Sequence, residues 1–132
     1  MGTGYKGNAD HYHSISENLP TLKNEYPYDN GYFGAKGDSS DSKVRHIESP
    51  DPQKCAKEFY DKFTYGGIEE PIFNKKTGDE IGQKTTLSDG SIISWRNVSS
   101  SADGSPAVDI NIEYSSDSGG IKRQKIHFVK EK

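Results

Sequence analysis

The 132-residue chain carries 17 Lys and Arg against 20 Asp and Glu, a formal net charge of −3, and 30% hydrophobic residues. With a mean hydropathy of −0.94, it has room for one domain with a small core, and no apolar run approaches the roughly 20 residues needed to cross a bilayer. The acidic balance counts against a nucleic-acid binder held by overall charge, and a single cysteine, Cys55, excludes an intramolecular disulfide framework.

Eight Tyr, five Phe and one Trp offset the shortage of aliphatics, because each buried ring removes about 150–250 Å² from water. Charge is unevenly placed. Asp29, Asp38, Asp41, Glu48 and Asp51 fall early, whereas Lys122, Arg123, Lys125, Lys130 and Lys132 cluster late and leave a local basic edge. Met1-Gly2-Thr3-Gly4 leads into polar residues and does not read as a signal peptide. If the protein leaves its cell, export information is expected on a part of the chain outside this sequence.

Residues 1–48 are rich in Gly, Asn, Asp, Ser and Tyr and show little periodicity. A short helix is expected around Ile15–Leu22, broken by Pro20. Tyr26 to Gly34 reads as turns carrying aromatic anchors, and residues 37–42 as an exposed loop. This lead-in is expected to pack by its rings on a main domain spanning 49–132. That domain opens with a helix. Ser49 or Asp51 caps it, Pro52 takes the first turn, and Cys55, Ala56, Phe59, Tyr60 and Phe63 form its apolar stripe. Gly66-Gly67 stops it. Cys55, within that stripe, reads as a small core residue.

Strand patterns follow. Ile68–Phe73 contains Pro71 and suits an edge. Lys84–Leu87 is short and ends at the turn Ser88-Asp89-Gly90, where Asp89 is a turn residue before it is a catalytic carboxylate. Ser91–Val98 sets Ile93 and Trp95 against Ser94 and Arg96. Ala107–Tyr114 alternates, and Lys122–Val129 sets Ile126 and Phe128 against Arg123, Lys125 and His127. The loops at Ser99–Ser105 and Ser115–Gly120 suit hairpins. The expected fold is α+β: a helical or irregular N-terminal segment, then one main helix packed on a four- to five-stranded antiparallel sheet. The two-residue period of strands then puts Ser94, Arg96, Asp109, Asn111, Arg123, Lys125 and His127 on the open face.

An imidazole, a guanidinium and an ammonium on one sheet face match the needs of RNA cleavage, because RNA supplies its own nucleophile in the 2′-hydroxyl. Only a group that titrates near neutrality and cations on the phosphate are required, with no metal or cofactor. Imidazole, with an ordinary pKa of about 6.5, meets the first need through His127. Arg96 grips phosphate bidentately, Lys125 acts as a point charge, and the hydroxyls of Ser99, Ser100 and Ser101 follow Arg96 directly. Plain solvation of a charged sheet face explains the same pattern. His11 and His13, with Asp10 beside them, form a short run suited to a divalent metal, but two His at this spacing in a polar segment are common without function and no third ligand is identifiable by spacing. His46 beside Arg45 is open between a phosphate contact and an ordinary loop residue. No phosphate loop, nucleophile elbow or CxxC pair occurs.

The helix PQKCAKEFYDKFTYGG, the segment TTLSDGSIISWRNVSSSADGSPAVDINI and the terminal KRQKIHFV together resemble C-terminal toxin domains of bacterial polymorphic toxins of the LXG and contact-dependent inhibition types. They look like domains of the barnase–EndoU–colicin–RelE ribonuclease group. The earlier YPYDNGYFGAKG resembles the lead-in before such domains. The resemblance implies a toxin secreted by its producer that acts in the cytoplasm of a target bacterium, with no membrane involved in the active state. It implies a metal-independent endoribonuclease cleaving tRNA or rRNA to a 2′,3′-cyclic phosphate, and a cognate immunity protein that blocks the site. His127, Arg96, Lys125, Ser99 and Ser100 become the expected catalytic residues, and Ser101, Arg123, Ser94, Asp109 and Lys84 the expected substrate-binding ones. The acidic charge departs from many such toxins, which fits a small target such as a tRNA loop or presentation by a host translation factor. Two other readings stay open: a metal-dependent DNase toxin using Asp10, His11 and His13, and a non-catalytic protein-binding module.

Overall fold

A computed structural model of the chain describes residues 4–5, 14–36, 43–97, 105–113, 115 and 119–131. Among these the elements run β1 (Gly4–Tyr5), α1 (Ile15–Glu25), β2 (Tyr28–Asp29), β3 (Tyr32–Phe33), β4 (Ala35–Lys36), β5 (Val44–Ser49) and α2 (Pro52–Phe63). They continue with β6 (Ile68–Phe73), β7 (Glu80–Thr86), β8 (Ile92–Arg96), β9 (Ala107–Asn111) and β10 (Gln124–Lys130).

The α2 helix forms as its sequence dictates. The Asp51 carboxylate accepts from the Lys54 amide at 3.2 Å, Pro52 occupies the first turn, and Ala56, Phe59, Tyr60 and Phe63 are buried. Beyond its end Gly66 takes a φ of +78°, which a residue with a Cβ resists. The α1 helix runs further than expected, through Pro20 to Glu25. An internal proline costs about 3 kcal/mol. Fully burying Ile15, Leu19 and Leu22 returns about 1.5–3 kcal/mol for each side chain, so packing overrides the break. The start of α1 is fixed by the Ser14 amide donating to Glu17 Oε1 at 3.0 Å and by the Ile15 amide donating to the buried Asp89 carboxylate at 3.1 Å. Asp89 thus serves a structural end.

The sheet is larger than the four to five strands expected. Its eight described strands lie in the order β1-β6-β7-β8-β9-β10-β5-β4. The expected antiparallel set is its centre, the meander from β6 to β10. The additions come from the first half of the chain. β5 pairs parallel with β10, β4 pairs antiparallel with β5, and the two-residue β1 pairs with β6 at Ile68 and Glu69. The expected division at residue 48 falls inside β5, whose Ile47 joins the same core as the second half. A separate two-stranded ribbon, β2–β3, carries Phe33 into that core.

One face of the sheet presents Ile47, Ile93, Val108, Ile110, Ile126 and Phe128 to the helices. Phe59 on α2 is the hub of this layer. It meets Tyr26, Phe33, Phe63 and Phe128 with ring centres 5.0, 5.1, 5.6 and 5.5 Å away, mostly edge to face, the arrangement aromatic quadrupoles favour. Gln124, buried on the same side, clasps the ribbon. Its Oε1 accepts from the Phe33 amide at 2.8 Å, and its Nε2 donates to the carbonyls of Gly31 and Lys122 at 2.9 and 2.7 Å. Removing the hub ring should be severe. Phe59→Ala is expected to cost about 3–5 kcal/mol in urea unfolding, whereas Phe73→Ala, at an exposed position, should stay within about 0.5 kcal/mol.

Candidate functional site

The face of the sheet opposite α2 is organised in rows, because directly paired residues point to the same side. One row runs Lys84, Ser94, Asp109, Lys125 and Val44 across β7, β8, β9, β10 and β5. The next runs Arg96, Ala107, His127, His46 and Ala35. The two-residue alternation in β8, β9 and β10 therefore does gather Arg96, Lys125, Asp109, Ser94 and His127 on one face.

The second row contains a residue the sequence left undecided. His46 lies in β5, not in a loop, and pairs with His127 across the parallel ladder. The two imidazole centres are 5.7 Å apart with ring planes at 64°. Lys125 precedes His127 by one period on the same face, directly across from Asp109. Arg96 stands two strands from His127, a backbone separation of about 10 Å at the usual strand spacing, which an arginine side chain can bridge in part.

His127 is not solvated as expected. It retains only 8% exposure, beside Ala107 at 5% and Ser105 at 9%. The ring of His46 flanks one side, and Ser105 Oγ lies 3.4 Å from His127 Nδ1, long for a hydrogen bond. His46 is half-buried, so the pair sits sunken in the face with His46 toward its rim.

Lys84 shares that face but is three strands from β10 and forms an ion pair with Glu70 at 3.3 Å. Arg123 is exposed and precedes β10, four residues from His127. Ser99, Ser100 and Ser101 lie outside the described residues, as do Asp10, His11 and His13. Arg45 turns to the helix side, donating to the carbonyls of Phe33 and Gly34 at 3.3 and 3.0 Å with its guanidinium over the Tyr32 ring. Among the described residues, no group of three or more His, Cys, Asp or Glu could hold a metal, and no helix is long and apolar enough to cross a membrane.

A cleft of about 640 Å³ opens beside His46 at the edge of β5, lined by Tyr26, Ala35, Glu48, Ser49 and Cys55 among others. Burial pushes the Cys55 thiol up, partly opposed by a hydrogen bond from Ser49, so the cysteine is a poor nucleophile. The Tyr26 hydroxyl is pushed up to about 12, first by burial and then by the nearby Cys55, Glu25 and Glu58. Tyr60, bonded to Thr85 Oγ1 at 2.6 Å and to Glu69 Oε2 at 2.9 Å, is raised still further, chiefly by burial.

The chain matches no protein-family model, no curated protein sequence and no solved structure. The site's meaning therefore rests on its own geometry and on the sequence pattern.

The tyrosines make an alkaline prediction. Both folded pKa values lie above the ordinary value of about 10, so stability from the neutral phenols is complete below pH 10. It is lost as pH rises through about 12 for Tyr26, because the unfolded chain ionises first. Urea midpoints should hold level from about pH 7 to 9 and fall from about pH 10 upward, and Tyr26→Phe should shrink the drop. A midpoint flat through pH 12 would contradict this.

Proposed function

We propose that the chain is the toxin domain of an interbacterial competition system and acts as a metal-independent endoribonuclease on tRNA or rRNA. The observation that carries the reading is the pair of imidazoles, His46 and His127, side by side on the sheet face that also bears Lys125 and Arg96. Cleavage within RNA needs one group to take the proton from the 2′-hydroxyl and another to give a proton to the departing 5′-oxygen. Imidazole does both near neutrality. The cycle requires one ring to start neutral and the other protonated. The 2′-oxygen bonds to phosphorus, the P–O5′ bond breaks, and the products are a 2′,3′-cyclic phosphate and a 5′-hydroxyl. Lys125 and Arg96 stabilise the added negative charge on the phosphorane.

The acidic net charge of −3 agrees with a compact target rather than long tracts of RNA. The sequence resemblance supports delivery from a producer cell to a target cytoplasm and control by an immunity protein that covers this face.

Purified chain should cut total RNA with EDTA present, leaving cyclic phosphate ends, with a rate that is bell-shaped in pH. His127→Ala and His46→Ala should each slow cleavage by about 10²- to 10⁴-fold. Cleavage by both variants at the wild-type rate would sink the mechanism. DNA degradation abolished by EDTA would instead favour a metal nuclease built on Asp10, His11 and His13, and intact nucleic acids would favour a binding module.

A further inference from the structure

We propose that His46 and His127 also form a two-imidazole chelate for a divalent transition-metal ion of the zinc class, and that such an ion switches the site off. The second half of this proposal rests on the ribonuclease reading; the chelate does not.

Neighbouring strands fix the geometry. The rings project from directly paired positions of β5 and β10 to the same side, with centres 5.7 Å apart. Two imidazole nitrogens each about 2.0–2.1 Å from one tetrahedral ion lie roughly 3.3 Å apart, which puts the ring centres about 5 Å apart. Small side-chain rotations close the difference, because the backbones are held at ladder spacing by six consecutive parallel pairs from Lys125 to Lys130. Imidazole is a favoured ligand for zinc, copper and nickel. Among the described residues no third His, Cys, Asp or Glu completes a ligand set. Such an ion would keep two positions for water or a substrate oxygen and would exchange readily, unlike a closed four-ligand structural site.

Ligation and catalysis compete for the same electron pairs. A ring whose nitrogen lone pair is donated to a metal cannot accept the 2′-hydroxyl proton from there, nor can it carry the proton needed by the leaving oxygen. A bound ion therefore blocks both halves of the proposed acid–base cycle at once. The same two residues then predict opposite responses to the two treatments: indifference to EDTA and inhibition by zinc.

The test is calorimetric titration of the full chain with Zn²⁺ alone, in a His11→Ala, His13→Ala background that removes the sequence's other histidine pair. One ion should bind per chain. Adding His46→Ala or His127→Ala should weaken binding by at least about tenfold, the loss that even an outer-sphere partner of a ligand costs. His46 is only half-buried, so His46→Ala decides the matter even if His127→Ala fails to fold, and circular dichroism checks the fold of each variant. Equal zinc affinity with and without His46 would overturn the chelate. Zinc bound at the pair without slowing RNA cleavage would overturn the switch. Zinc bound there by a chain that cuts no RNA would uphold the chelate and count against the ribonuclease reading instead.

Discussion

The parallel pairing of β5 with β10 is the constraint from which the rest of the molecule takes its arrangement. It joins a strand from the early, polar part of the chain to the late, basic one. On one side it sets Ile47 beside Phe128 in the core, and on the other His46 beside His127. Because strand side chains alternate, a slip of one residue would exchange these faces. It would bury an imidazole under α2 and push Ile47 out among charges. Core packing and site assembly are therefore the same structural decision.

That decision is reinforced from outside the strand pair. Gly34 lies so close to β5 that a Cβ there would clash with the His46 carbonyl oxygen, and its φ of +71° already disfavours a side chain. Arg45 and Gln124 tie the same ribbon to the sheet by hydrogen bonds to its backbone. A domain with few aliphatic residues holds its early segment with rings that meet edge to face and with polar groups that satisfy one another. An unsatisfied buried amide would cost about 1–3 kcal/mol, and these clasps avoid that loss.

How far the sequence could be read depended on how local each signal was. The meander β6–β10 and the helix α2 were legible because Ala107–Asn111 alternates cleanly and Pro52–Phe63 has a cap, a stripe and a glycine stop. β5 was not. Its segment Val44-Arg45-His46-Ile47-Glu48-Ser49 places apolar residues three apart, since Arg45 turns to the helix side to hold backbone carbonyls rather than to fill a core. Pro20 misled for the opposite reason: a local rule was outweighed by the burial of Leu19 and Leu22. At the candidate site, alternation correctly grouped Arg96, Lys125 and His127 on one face. It could not reveal His46, because parallel partners distant in the chain leave no spacing to count. Nor could it reveal that His127 is buried, which depends on what neighbouring strands set beside it.

β10 has one further property, which concerns time rather than space. It is the last of the ten described strands to be made, yet it lies between β9 and β5 inside the sheet. While the chain emerges from a ribosome, β9 and β5 each keep one edge open on the side that β10 will fill, and the two imidazoles remain on separate pieces of chain. Pairing over such long sequence distances is intrinsically slow, and exposed edges invite wrong partners meanwhile. Insertion of one late strand thus closes the sheet and completes the histidine pair in the same event, so a chain interrupted before Gln124 would carry most of the sequence and none of the paired site.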